Sequence, residues 1–121
     1  LTYKDKFFGD GIKYDKDFTK AYGYAPPYQA AESSAALLVF KDAFERANSF
    51  DTKKVRDALA KTKMQTFYGN IKFGSGGQNT AKPMVLFQVM CKSGKCENVV
   101  VAPTKWAAAE LIHPIPPWSK R

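Results

Sequence analysis

The sequence predicts an α/β fold in which helices pack on a sheet and an antiparallel hairpin closes the C-terminal end. Three stretches carry that expectation. Tyr28 to Ala47 places apolar residues at helical spacing over five turns. Tyr68 to Phe73 alternates by face as a strand does, with Tyr68, Asn70 and Lys72 on one side and Gly69, Ile71 and Phe73 on the other. Met84 to Met90 and Asn98 to Ala102 are β-rich runs separated by a short polar turn.

In chain order, Gly11 to Tyr22 opens the helical part. Tyr14, Phe18 and Tyr22 recur every fourth residue, and Gly23 is placed to end the helix in a left-handed conformation. Pro26-Pro27 excludes helix at Ala25 and stiffens the approach to the next element. The helix from Tyr28 to Ala47 has a wide apolar face, and its small residues at Ala30-Ala31 and Ser33 to Ala36 let another backbone come close. Asn48-Ser49 ends it. Asp51 or Ser49 caps a third helix over Thr52 to Lys61, whose buried stripe is Val55, Ala58 and Leu59.

Thr62 to Gln65 is expected to turn the chain into a strand that starts at Thr66 and runs through the aromatic pair to Phe73. Gly74 to Thr80 is loop chemistry, and Ala81-Lys82-Pro83 leads to the next strand. Met84 to Met90 is nearly all apolar, the pattern of a strand covered on both faces. Lys92-Ser93-Gly94-Lys95 joins it to the run ending at Ala102, with Gly94 suited to a positive φ. Thr104 caps a short turn, and His113 to Pro117 reads as extended tail.

Composition narrows the function. The 121 residues match one domain in scale, and 45% hydrophobic with 25% charged residues is a globular balance. No apolar run approaches the roughly 18 residues that a membrane helix requires, and no secretory leader opens the chain. The net charge of +8, from 19 basic and 11 acidic side chains, admits a basic nucleic-acid-binding module, and Tyr3-Lys4-Asp5-Lys6-Phe7-Phe8 offers aromatic and basic groups together. The basic residues are scattered among acids, however, which favours a solvated surface.

Catalytic and metal chemistry find little support. Gly74-Ser75-Gly76-Gly77 lacks the lysine of a phosphate-binding loop, so it reads as a turn. His113 has no nucleophile or carboxylate at a catalytic spacing. Two cysteines and one distant histidine fall short of the roughly four ligands of structural zinc. An enzyme is not expected, and neither a cofactor nor a metal. Cys91 and Cys96 flank the hairpin turn, a placement that would let their Cβ atoms lie across from each other at disulfide distance. A bond there would contribute about 2 kcal/mol because its loop is short, and two free thiols are the alternative.

One resemblance draws these pieces together. The order of Tyr22-Gly23-Tyr24-Ala25-Pro26-Pro27-Tyr28-Gln29-Ala30-Ala31, the run Thr66 to Phe73, its glycine loop and the closing strands resembles the C-terminal part of periplasmic solute-binding proteins of the branched-chain amino-acid type. The likeness extends from about Phe7-Phe8-Gly9 to Pro117-Trp118. It implies a C-terminal portion of a two-lobed, type I receptor that feeds an ABC transporter. Residues 1–80 would complete the first lobe and the hinge, and residues 81–121 would return to the second lobe. It implies a small polar ligand such as an amino acid, a transporter permease and the rest of the receptor as partners, and a periplasmic or extracellular location with an anchor preceding this segment. Apolar faces left uncovered would also allow self-association. A sensory or regulatory ligand-binding domain of the same fold is the alternative.

In the resembled family the segment entering the long helix borders the ligand cleft, and Tyr28-Gln29-Ala30-Ala31 is the matching stretch. Tyr28 would cover an apolar or aromatic part of a ligand and Gln29 would orient a polar group. Glu32, one turn further, is the acid placed to face the same cleft, and it also suits the dipole of the helix. Packing of Tyr28 beneath the two prolines is the competing reading.

Overall fold

The computed structural model describes residues 3–118, and their contacts form two units that meet between Lys82 and Pro83. The first begins with two short paired strands, β1 (Lys4–Asp5) and β2 (Gly9–Asp10), followed by α1 (Gly11–Tyr22), α2 (Tyr28–Ala47) and α3 (Thr52–Ala60). Two further strands, β3 (Lys63–Thr66) and β4 (Gly69–Lys72), form an antiparallel hairpin. The second unit holds the antiparallel ribbon β5 (Leu86–Lys92) and β6 (Lys95–Ala102), then a 3-10 turn at Thr104–Trp106. Among the described residues the strands form three separate two-stranded antiparallel pairs, and with the helices they make an α/β chain. No helix among the described residues is long and apolar enough to cross a membrane.

The helix ends follow from capping chemistry. Asp10 accepts a hydrogen bond from Lys13 N at the start of α1, and Asp51 does the same for Lys54 N at the start of α3. Gly23 closes α1 with φ 80°, and its N–H donates to Thr19 O at 2.8 Å. No side chain caps α2. Its first turn is shaped instead by Pro27, whose carbonyl accepts from Ala30 N at 3.0 Å.

The small side chains of α2 set its packing. Ala35 is buried with Tyr14 and Phe67, and Phe8, Phe18, Ala31 and Tyr68 close around them. Tyr14 and Phe67 stack at 4.3 Å between centroids, while Phe8 meets both rings edge-on. Such pairs contribute about 0.5–1.5 kcal/mol each beyond area burial. The Tyr14 hydroxyl keeps a partner in Ser34 Oγ at 3.0 Å. Nearer the C-terminal end of α2, Ala43 is fully enclosed against Val55 and Ala58 of α3. Arg46 secures that junction by donating to Ala58 O at 2.8 Å and to Thr62 Oγ1 at 2.9 Å.

Two expectations are corrected. The sequence predicts a turn over residues 62–65 and strand interior at the aromatic pair, but Lys63–Thr66 is itself a strand and Phe67-Tyr68 is the hairpin tip. The Thr66 hydroxyl donates to Gly69 O and accepts from Tyr68 N, closing a two-residue turn that Gly69 completes at φ 140°. The apolar strand read as covered on both faces is open: Leu86, Phe87 and Val89 are exposed, and Val101 is the buried hydrophobic residue of its ribbon. The tail reaches back to this ribbon. Ile112 N and O bond the Gln88 side-chain amide, each at 3.0 Å, and Ala108 N donates to Val100 O.

Candidate functional site

Chemistry gathers where α2 begins. The double proline orients the first turn so that Tyr28 is 67% exposed, with Gln29 and Glu32 also on the surface. Beside this turn stands the β3–β4 tip. It is anchored by Asp5, whose Oδ2 accepts from Phe67 N at 2.7 Å while Oδ1 accepts from Phe7 N and Phe8 N. With Phe67 drawn into the aromatic core, Tyr68 is left half-buried on the outer side of the turn.

Lys82 completes the group. The segment before it is stapled to β4 by Asn79, whose side chain donates to Asn70 O and accepts from Lys72 N and Ala81 N. Thr80 N also donates to Lys72 O at 2.8 Å. The Lys82 side chain is thereby carried across Gly69, and its Nζ lies 3.0 Å from the centroid of the Tyr68 ring. Gly69 suits its backbone at φ 140°, a conformation that favours glycine, and a Cβ there would meet Lys82 Cδ at 3.4 Å, an ordinary van der Waals contact.

These groups sense one another. Burial raises the Tyr68 phenol above its ordinary range, and the charges of Glu32 and then Tyr28 add to the rise. Burial lowers the Lys82 ammonium, and Glu32 partly offsets this by favouring the charged form. A carboxylate, an ammonium and two phenols therefore share one neighbourhood, equipped to bind and orient a polar solute. No nucleophile–base pair stands among them.

The structure brings Tyr28 and Glu32 together with Tyr68 and Lys82, two residues that the sequence reading did not select. Gln29 is exposed on the same turn and makes no side-chain hydrogen bond among the described residues. Tyr68 is legible only once the hairpin register places it at a tip, and Lys82 only once Asn79 is seen to tie its segment to β4. Concavities lie elsewhere in the first unit. A groove of about 330 Å³ runs along β3 and β4 between Lys63 and Lys72, and another of about 310 Å³ lies at Phe44 to Phe50. Tyr28 lines neither.

Cys91 and Cys96 are a directly opposed pair in the β5–β6 register and are joined by a disulfide. No cluster of three or more His, Cys, Asp or Glu side chains suited to a metal ion occurs among the described residues.

The profile of the periplasmic binding protein family matches residues 9–95 of the chain, a span that contains α1 to α3, the β3–β4 hairpin, Lys82 and β5. No solved structure matches the chain.

Proposed function

The chain belongs to the periplasmic binding protein family, and from that premise we propose that it is the substrate-binding component of an ABC transporter, capturing an amino acid or a related small polar solute in the periplasm. The observation that carries this reading is the convergence of Tyr28, Glu32, Tyr68 and Lys82 at the start of α2. These side chains supply hydrogen-bonding, charged and aromatic contacts, and no group in the cluster performs bond-breaking chemistry. The family is one of binders, in keeping with a role that is not enzymatic.

In this reading residues 1–80 finish the first lobe and its hinge, and residues 81–121 return to the second lobe. Tyr28, Gln29 and Glu32 form one wall of the interlobe cleft. Closure follows from differential affinity: a solute that touches both lobes only in the shut form shifts the population toward it. A permease then distinguishes loaded from empty receptor.

The test is calorimetric titration of the full chain with the common amino acids, short amides and organic acids. A hit should raise the melting temperature by linkage. Tyr28→Ala and Glu32→Ala should each weaken that hit about tenfold or more while leaving unliganded stability unchanged, since both side chains are exposed. Absence of any hit, or a hit indifferent to both substitutions, overturns the assignment.

A further inference from the structure

The β3–β4 hairpin sets two like charges side by side. Lys63 and Lys72 are directly opposed in its register, and Gln65 and Asn70 are the next pair on the same face. Directly opposed residues hold their Cβ atoms about 4.5–5.5 Å apart, and like charges at that spacing disfavour the pairing. An acid between them would relieve the cost. Among the described residues, however, the ion pairs engage Lys4, Lys13, Lys41, Arg46 and Arg56, and neither Lys63 nor Lys72. The four residues of this face line the groove of about 330 Å³, and the rest of its lining is apolar, so no acid borders it.

The backbone beneath both lysines is held. Lys72 N donates to Asn79 Oδ1 at 3.0 Å, and Lys72 O accepts from Thr80 N and Oγ1. Lys63 follows Thr62, whose N–H donates to Leu59 O and whose hydroxyl accepts from Arg46. Slipping the register by one residue would separate the charges but would turn the buried Thr66 to the other face. The repulsion is therefore built in. Asn70, half-buried between the strands' ends, makes no side-chain hydrogen bond among the described residues, which leaves its NH₂ able to donate into the groove.

We propose that this groove binds a small oxyanion of two negative charges, a phosphate group or a short dicarboxylate, which Lys63 and Lys72 grip from opposite strands and Asn70 steadies. Its volume lies at the small end of ligand sites, roughly 300–1,000 Å³, and ammonium groups hold an anion by charge with little demand on its shape. A bound dianion turns the like-charge pair into two charge-assisted contacts and ties β3 to β4. The site shares no residue with the cluster at the start of α2, so it stands or falls apart from solute binding there.

The experiment is NMR titration of the full chain with sodium phosphate and, separately, sodium succinate. Sodium acetate is the singly charged control, all at neutral pH and matched ionic strength. A dianion should move the amide resonances of residues 63–65 and 70–72 along saturating curves and bind roughly 2- to 10-fold more tightly than acetate, the worth of one further contact. Lys63→Gln and Lys72→Gln should each erase that preference, because one ammonium remains. Lys72→Glu should abolish dianion binding and yet raise the urea midpoint, since an opposite-charge pair replaces a like-charge one. Binding by phosphate alone would identify a phosphate-bearing ligand, and by succinate alone a dicarboxylate; either supports the site. Shifts that never saturate, dianions that bind no better than acetate, or a preference untouched by both glutamine variants overturn the proposal. A lower urea midpoint in Lys72→Glu overturns its like-charge premise.

Discussion

Asp5 is the residue through which the first strand controls the tip that presents Tyr68, and its removal has a calculable effect. One oxygen serves the local turn at Phe7 and Phe8, at 2.9 and 2.8 Å, and the other reaches across 62 positions to Phe67 N at 2.7 Å. Asn at this position can keep the two local bonds only by turning its NH₂ toward the Phe67 N–H, donor against donor. The half-buried Phe67 amide is then unpaired, which costs about 1–3 kcal/mol. Asp5→Ala loses the local bonds as well, adding roughly 1 kcal/mol since these are closer to solvent. Urea unfolding followed by circular dichroism gives both numbers, and hydrogen exchange at the Phe67 amide locates the loss. Solute affinity should fall along with stability, because Tyr68 sits next in the chain and carries Lys82. Variants both within about 0.5 kcal/mol of the parent, the range of an ordinary surface change, would refute the anchoring role, as would an unaltered Phe67 exchange rate.

Arg46→Met should cost about 1–3 kcal/mol by urea unfolding, since it leaves the buried Thr62 hydroxyl unpaired, while Ala58 O keeps its bond from Lys61 N. Asp42→Ala, which removes only the partly exposed i,i+4 partner of Arg46, should cost about 0.3–0.5 kcal/mol. Tyr68 is raised from 10.0, so its contribution is complete below that pH and is lost as the pH climbs through the folded value. Lys82 is lowered from 10.5, so its contribution is present above that pH and is lost as the pH falls through the folded value. Tyr68→Phe should accordingly lose less stability than the parent between pH 10.0 and the folded value, read as the urea midpoint beside tyrosinate absorbance. Gln88→Ala should accelerate hydrogen exchange at the Ile112 amide by about tenfold, since the two bonds that hold the tail to β5 go together.

The helices were legible because their ends are written in local chemistry. Gly23 supplies the left-handed C-cap of α1 and Asp51 the N-cap of α3, and both act within a few residues of themselves. The glycine of the β5–β6 turn was legible for a similar reason, at φ 78°, but the expected four-residue connection is a two-residue turn, Ser93-Gly94, because Lys92 and Lys95 pair across the strands. What escaped depends on partners far away in sequence. The pair β1–β2 has strands of two residues each, too short to carry a periodic signal. The Phe67-Tyr68 run has strong β propensity, yet the Thr66 hydroxyl and Asp5 make it a turn, so tertiary context overrode preference. Tyr28 and Glu32 could be selected from the family resemblance. Lys82 could not, because its place is set by the Asn79 side chain, which ties the segment before it to β4, rather than by any motif around it.

The second unit poses a stability problem that its disulfide addresses. A two-stranded ribbon is marginal in water, and this one leaves Leu86, Phe87 and Val89 exposed while burying Val101. Its holding interactions include the register from Leu86 to Lys92, the Gln88 clasp on Ile112, the Ala108 bond to Val100 and the bond from Cys91 to Cys96. Closing so short a loop contributes about 2 kcal/mol, a large share of what a ribbon with little core retains. Reduction should therefore act on the whole ribbon rather than on the turn alone. Adding a reductant, or replacing both cysteines with serine, should raise amide exchange along β5 and β6 by about 10- to 30-fold, the rate equivalent of that free energy. If the increase is confined to residues 92–95, the ribbon is held by its strand pairing and the tail clasp, and the disulfide only trims its end.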